Sequence, residues 1–322
     1  MTRAKTQAGA ALLMAMLIVT LVATFAAAAM WQQWRAVEVE AAERGRVQSA
    51  WILVGALDFS RLILREDARA GGADHLAEPW AVPLQESRLS TFLAAEKNVS
   101  QVDDASTDTT EAFLSGYITD MQGRLNVTNL AMGEPAQQEA ALQQFTRLFE
   151  QLSLPPHELG LLAAGLRQAQ VDSATGSAGS GSSAAPLMPP TVSQLGWLGL
   201  SPSTLAALAP HITLLPERTV VNANTAQAEV LMAAIDGLDS AGAERIMQAR
   251  EARHFRTVEE VNKLLGTDAQ CACGVQSNYF EVRGRLRIGG TMVDERSLVR
   301  RVGQGVTTLW RERGAFDREP TP

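Results

Sequence analysis

Between Lys5 and Arg35 the chain carries no charge of either sign. Such a stretch is unsuited to an aqueous surface and suited to lipid. Cysteine is nearly missing: Cys271 and Cys273 are the only two, so no disulfide framework holds the fold. They leave loop thiols or one local bridge open, while zinc would need about four ligands and only His254 stands near in sequence. Basic runs are absent and the formal net charge is -7, whereas a chain that neutralises many phosphates shows a basic face. Nucleic acid is therefore not expected as a partner. The four histidines, His75, His157, His211 and His254, have no repeated spacing, and neither a nucleophile elbow nor a metalloprotease motif occurs. Three glycines between Gly176 and Gly181 follow no strand, which excludes a dinucleotide loop. Asp103-Asp104 and Glu259-Glu260 read as solvated acids. No catalytic residue and no enzymatic activity are expected.

What is present begins with a short basic leader, Met1 to Gly9, followed by the apolar run Ala10 to Met30. About 21 residues at ~1.5 Å rise give roughly 30 Å, enough to cross a bilayer as a helix. A secretory signal has a shorter core with its cleavage site after it; here the best site, Gly9–Ala10, precedes the run and leaves the anchor on the mature chain. This arrangement resembles the class III leader of type IV pilins and type II secretion pseudopilins. Arg3 and Lys5 place the N-terminus in the cytoplasm, with Trp31 and Trp34 at the far interface. The chain is expected to be a single-pass inner-membrane protein with its bulk in the periplasm.

No proline precedes Pro79, and Gly71-Gly72 is the first strong helix stop. One long helix is therefore predicted to Asp67, with Gly45 and Gly55 each weakening it by ~1 kcal/mol. Its apolar face is expected to use Trp51, Val54 and Leu57 to pack on the subunit's own sheet and on neighbouring helices. Phe113 to Val127 alternates as a hairpin with its turn at Asp120-Met121-Gln122-Gly123. Phe280, Val282, Leu286 and Ile288 alternate with Glu281 and three arginines, a half-buried strand. Gly289-Gly290 then turns into Thr291 to Val302, and Val306 to Arg311 adds a short strand. Helical patterns fill the middle: Ala136 to Gln151, Glu158 to Val171, and Ser203 to Ala209 behind a Ser201-Pro202 cap. Ser173 to Ala185 reads as a flexible linker and Gln101 to Glu111 as an exposed connection. The fold class is α+β, a sheet interrupted by an inserted α-domain. The expected boundaries are leader 1–9, membrane helix 10–30, helix and first strands 31–129, insert 130–274, and C-terminal strands and tail 275–322.

Val221 to Leu265 resembles a helix-hairpin-helix, with Asn224 or Thr225 as the expected first cap and Gly237-Leu238-Asp239 as the turn. Such turns meet phosphate with backbone amides. Asp239 would repel one, and seven acidic against five basic side chains lie between Asn222 and Gly266. A structural repeat is the expectation; the alternative is a type IV pilus or DNA-uptake component using Arg245 and Arg250.

Taken in order, the Gly9-Ala10 junction, Asp74 to Pro83, Asp120-Met121-Gln122-Gly123-Arg124-Leu125-Asn126 before Asn129-Leu130, Leu215-Pro216 before Val221 to Ala226, and Tyr279-Phe280-Glu281-Val282 resemble the general secretion pathway K family. That family is the large minor pseudopilin of type II secretion. The resemblance implies a pilin-like fold with the long N-terminal helix on an antiparallel sheet. It implies cleavage and N-methylation by prepilin peptidase, and association with minor pseudopilins I and J and with the pseudopilus shaft and secretion machinery. It also implies a subunit that caps the pseudopilus tip and helps initiate its assembly. Most pilin relatives carry a glutamate five residues into the mature chain; Met14 stands there, a departure shared with the K family. Calcium binding is a property of the family. The tract after Val171 offers only Asp172, where calcium would need several carboxylates, so no metal ligand is assigned and no cofactor is expected.

Overall fold

The computed structural model describes residues 8–89, 112–175, 186–266, 271–288 and 291–314, in two compact units, Met1–Gly55 and Ala56–Pro322. The leader residues 1–7, the connection 101–111, most of the linker, the Gly289-Gly290 turn and the tail 315–322 lie outside the described residues.

Helix α1 (Ala8–Ala70) runs through Gly45 and Gly55 without a break and stops where Gly71 takes a left-handed φ of 67°. It is the one described helix apolar enough to span a bilayer: its most apolar 18 residues average a hydropathy of 2.5 and none is buried. Inside this stretch Thr20 and Thr24 donate their hydroxyls to the Leu17 and Leu21 carbonyls, at 2.9 and 2.8 Å. Neither hydroxyl is left unpaired where no water would be. Trp31 and Trp34 follow, tilted and 5.4 Å apart.

The second unit is built on a five-stranded antiparallel sheet in the order β1 (Leu84–Arg88), β2 (Ala112–Asp120), β7 (Tyr279–Ile288), β8 (Thr291–Val302), β9 (Gly305–Gly314). The expected hairpin at Asp120 is not formed. Asp120 instead pairs with Phe280, and everything from Met121 to Asn278 is inserted between two neighbouring strands. The alternation of Phe113 to Thr119 was a true strand signal, but Asp120 caps a 3₁₀ turn at Met121–Gly123 and sends the chain away. Strand β3 (Leu125–Asn126) therefore belongs to the insert, where it pairs in parallel with β4 (Ile212–Thr213). The insert thus starts earlier than residue 130. In β9, Trp310 faces Leu298 while Thr308 faces Val299, which makes Leu309 an extra residue, a β-bulge.

Residues of α1 beyond Ala56 cover one face of the sheet. Leu57 and Leu64 pack with Trp80, Phe280, Val282, Val299 and Val306, and the Trp80 ring meets Phe280 edge-on at 5.1 Å. Each such side chain contributes ~1.5–3 kcal/mol by leaving water. Trp51 stands about 240° round the helix from Leu57 and is 71 % exposed, so it does not share the stripe of Leu57 and Leu64. Val54 is half-buried.

The insert has its own core. Helices α2 (Pro135–Gln151) and α3 (Pro156–Thr175) supply Phe145, Leu148, Leu162 and Leu166; α5 (Ala228–Ala234), α6 (Ser240–Ala252) and α7 (Val258–Leu265) supply Val230, Ile246 and Val261. Between α3 and α5 lies α4 (Pro202–Leu208), capped by Ser201 with Pro202 in its first turn as expected. The expected cap at Asn224 or Thr225 is not one: α5 starts three residues later, after Gln227. Asn224 is buried and exchanges two hydrogen bonds with the Phe255 backbone instead. Strand β5 (Val221–Asn222) pairs with β6 (Cys273–Gly274), and Cys271 is disulfide-bonded to Cys273.

Candidate functional site at the seam of sheet and insert

The chain leaves the sheet at Asp120 and re-enters it at Tyr279, and a buried polar network closes that gap. Asp120 ends β2 with both oxygens engaged. Its Oδ1 accepts the Gln122 N–H at 2.8 Å, and its Oδ2 accepts from Ser277 Oγ, Thr225 Oγ1 and Asn222 Nδ2, at 2.6, 2.6 and 3.0 Å. Burial pushes this carboxyl above the usual range, against the pull of its donors. Asn222 and Thr225 belong to the insert, so one carboxylate ties the insert to the sheet.

Beside it, Arg301 at the end of β8 bridges two carboxylates from elsewhere in the chain. One nitrogen donates to Asp67 on α1 at 2.5 Å; the other donates to Asp74 and, at 2.7 Å, to the Ser277 carbonyl. Asp74 also accepts the Ser277 N–H at 2.7 Å, and its own carbonyl accepts from Asn222. Burial raises the Asp74 carboxyl while Arg301 lowers it, and burial prevails. The Arg301 guanidinium lies 4.9 Å from the Phe280 ring centre.

Around this pair the other joints are amides. Gln122 accepts the Asn278 N–H and donates to the Val220 and Gln276 carbonyls. Asn126 holds Glu217, Thr219 and Leu215, and Asn129 exchanges two bonds with Thr219. The loop after α1 adds Glu78, whose Oε2 accepts from the Trp80 indole at 2.7 Å and the His75 N–H at 2.9 Å. Burial pushes this carboxyl up to about 7. The His75 ring stacks on His254 of the insert, centroids 3.8 Å apart, and burial with the His254 charge lowers its pKa.

Asp67, Asp74 and Glu78 bring carboxylate oxygens within 4.8 Å of one another, but Arg301 already neutralises two of them and Trp80 and His75 occupy the third. The network has the character of a fastener rather than a reaction centre: its acids are met by donors from the same chain. Composition and spacing did not single out Asp67, Ser277 or Arg301. In sequence Arg301 is one of several arginines on an alternating strand, and nothing local marks it as the one turned inward.

The helical hairpin is also accounted for by structure. Asp239 caps α6 by accepting the Gly242 N–H at 2.7 Å, which fills the place a phosphate would take. Arg250 donates to the Ala223 and Ala226 carbonyls at 2.9 and 2.6 Å, binding the hairpin to its own approach segment.

The insert side of the seam, with Asn126, Asn129, Asn222, Thr225 and Ser277, lies within the residues matched by family models. Two models described as "Type II secretion system (T2SS), protein K" match in series, at residues 123–217 and 221–283. The chain belongs to the type II secretion system protein K family. Relatives so named span nearly all of it. The Pseudomonas aeruginosa protein is 26 % identical over 310 residues, covering 88 % of this chain and 85 % of that one. The Klebsiella pneumoniae protein is 28 % identical over 341 residues, covering 96 % and 97 %. In fold, the chain is similar to one from the GspK-GspI-GspJ complex of the enterotoxigenic Escherichia coli type 2 secretion system. The TM-score is 0.61 at 20 % identity, over 85 % of this chain and 99 % of that one. Family and fold thus agree on a minor pseudopilin, a structural component of secretion with a long N-terminal helix, an antiparallel sheet and added helices.

Proposed function

We propose that this subunit caps the tip of the type II secretion pseudopilus and helps initiate its assembly. The observation that carries this reading is the membrane helix without an acid. From Ala10 to Met30 no carboxylate occurs, and Met14 occupies the position five residues into the mature chain. A carboxylate buried in lipid is costly unless paired, for instance with the N-terminal amine of a neighbour. A subunit with Met14 makes no such pair to a subunit above it, yet can offer its own amine at Ala10 to one below. Only an end position loses nothing by this. The inserted helical block adds bulk that a terminal subunit accommodates most readily. The solved complex to which the fold is similar contains GspI and GspJ, and the corresponding minor pseudopilins I and J are the proposed neighbours here. Prepilin peptidase would cleave between Gly9 and Ala10 and methylate Ala10, with the N-terminus cytoplasmic and the folded unit periplasmic. No enzymatic role and no nucleic-acid partner belong to this reading.

Mass spectrometry of membrane fractions with and without prepilin peptidase tests the processing step. A mature N-terminus at methylated Ala10, seen only with the peptidase, supports the reading; an intact Met1, or cleavage beyond Met30, overturns it. Met14→Glu tests the position: crosslinks to the pseudopilus should cease to be confined to its end. Crosslinks that stay confined there would show that the missing acid does not set the position.

A further inference from the structure

The loop between α1 and β1 meets the insert through two imidazoles. His75 of the loop and His254, between α6 and α7, lie ring on ring, with centroids 3.8 Å apart and planes 9° from parallel. Both are half-buried. The backbone beside His254 is fixed, because Phe255 exchanges two hydrogen bonds with Asn224.

This geometry suits neutral rings. His75 Nδ1 accepts the Ala77 N–H at 3.2 Å, which puts the ring's own proton on Nε2. A second proton would set N–H against N–H and break that bond. Protonation of both rings would place two like charges 3.8 Å apart.

The surrounding charges do little to offset an imidazolium. Asp67 of α1 and Asp74 of the loop are both held by Arg301 of β8. Glu78 brings Oε1 to 4.0 Å from His75 Nε2, too far for a hydrogen bond. Burial raises the Glu78 carboxyl to about 7, so it is mostly neutral at the pH where a free histidine gains its proton. On the insert side, Glu260 is engaged by Arg253 at 3.6 Å and by the Arg256 N–H at 2.8 Å. Burial, then the His254 charge, lower the His75 pKa against the pull of Asp67. A histidine held neutral in this way contributes fully above the ordinary 6.5, and its contribution is lost as the pH falls.

We propose that His75 and His254 form an acid-released latch in the seam: the uncharged pair fastens the loop after α1 to the insert, and protonation parts them. Asp120 joins Asn222 and Thr225 of the insert to the sheet without a histidine, so acid opens this joint while the lobe stays attached. The latch concerns how one lobe is held to the other, and its failure leaves the tip assignment untouched.

The test uses the full chain in phosphatidylcholine nanodiscs. Hydrogen exchange is read by mass spectrometry from pH 7.5 to 5.5 and corrected for the intrinsic rate. Each ring that must be neutral in the closed latch adds about a tenfold gain in the open form over that range. Peptides covering 74–79 and 253–257 should therefore lose at least tenfold in protection, while those of β7 and β8 keep theirs. Nitrogen-15 spectra of the rings should show His75 in the neutral Nε2–H form wherever the loop is protected. His75→Asn keeps an acceptor near the Nδ1 position and His254→Phe keeps a ring in the stack, so the double variant should show no acid-dependent loss. Should that variant fail to fold, the wild-type exchange and ring spectra decide alone. Constant protection down to pH 5.5, a cationic His75 with its loop still protected, or the same acid loss in the double variant would overturn the proposal.

Discussion

At the scale of single residues, the seam depends on one guanidinium. Arg301→Met leaves Asp67 and Asp74 facing each other without a cation in a site where Asp74 is 3 % exposed. Removing one partner of a buried ion pair costs about 3–5 kcal/mol, and urea unfolding should show a loss of that size. Adding Asp74→Asn should recover part of it; no recovery would mean that Arg301 acts through packing on Phe280 instead. Glu78 gives a pH dependence of definite sign. The fold holds its carboxyl at about 7 against an ordinary 4.5, so the protonated form is the one the fold prefers. Its contribution is complete below about 4.5 and is lost as the pH rises through 7, on the order of 3 kcal/mol at most. Glu78→Gln should flatten stability across that window, and an unchanged profile would assign the dependence to another group. Such residues were only partly legible. Trp80 announced itself as a large apolar side chain in a polar loop, and it docks on the core. Asp67 and Arg301 did not, because the identity of an ion pair lies in a contact between distant segments that neither segment's pattern records.

At the scale of elements, the long helix, the strands Tyr279–Ile288 and Thr291–Val302, and the capped α4 were legible because each is written in local periodicity or capping chemistry. The hairpin at Asp120 was misread for a physical reason: a strand followed by a Gly-containing turn and a second apolar pair satisfies every local rule for a hairpin. What decides against it is the long-range pairing of β2 with β7. Spacings of three accumulate angular drift along a helix, so Trp51 leaves the stripe that Leu57 and Leu64, seven apart, share. The β9 bulge supplies a test at this scale. Deleting Leu309 removes the extra residue and leaves Thr308 opposite Val299 and Trp310 opposite Leu298, so Trp310 to Arg313 keep their faces and Arg311 and Arg313 keep their pairing with Glu295. A change below ~1 kcal/mol is expected by chemical denaturation. A loss of ~3 kcal/mol or more would mean that the bulge itself holds the edge in place.

For the molecule as a whole, the insert is an excursion from a sheet whose strands are already neighbours. Asp120 and Phe280 are cross-strand partners, so replacing residues 121–278 with a tight turn should preserve the core of Leu57, Leu64, Trp80 and Val299. Near-UV circular dichroism and resistance to proteolysis would check this; a molten product would show that the seam is needed to hold the sheet, not merely to hold the insert. The motifs that suggested the family from sequence are scattered over some two hundred positions, yet Asp74, Asp120, Gln122, Asn126, Asn129 and Asn222 meet in the seam or beside it. Their order in the chain could be read without the structure. Their common purpose, fixing one lobe on another, could not.

That pairing across the insert also imposes a timetable. During synthesis the membrane helix emerges first and β1 with β2 soon after, but two strands alone are marginally stable. The apolar groups that cover Leu57 and Leu64 include Phe280, Val282, Val299 and Val306, all near the other end of the chain. The insert, with its own core, can fold while the sheet waits. A chain still being synthesised therefore has an unfinished sheet, and a closed core arrives only with the last strands.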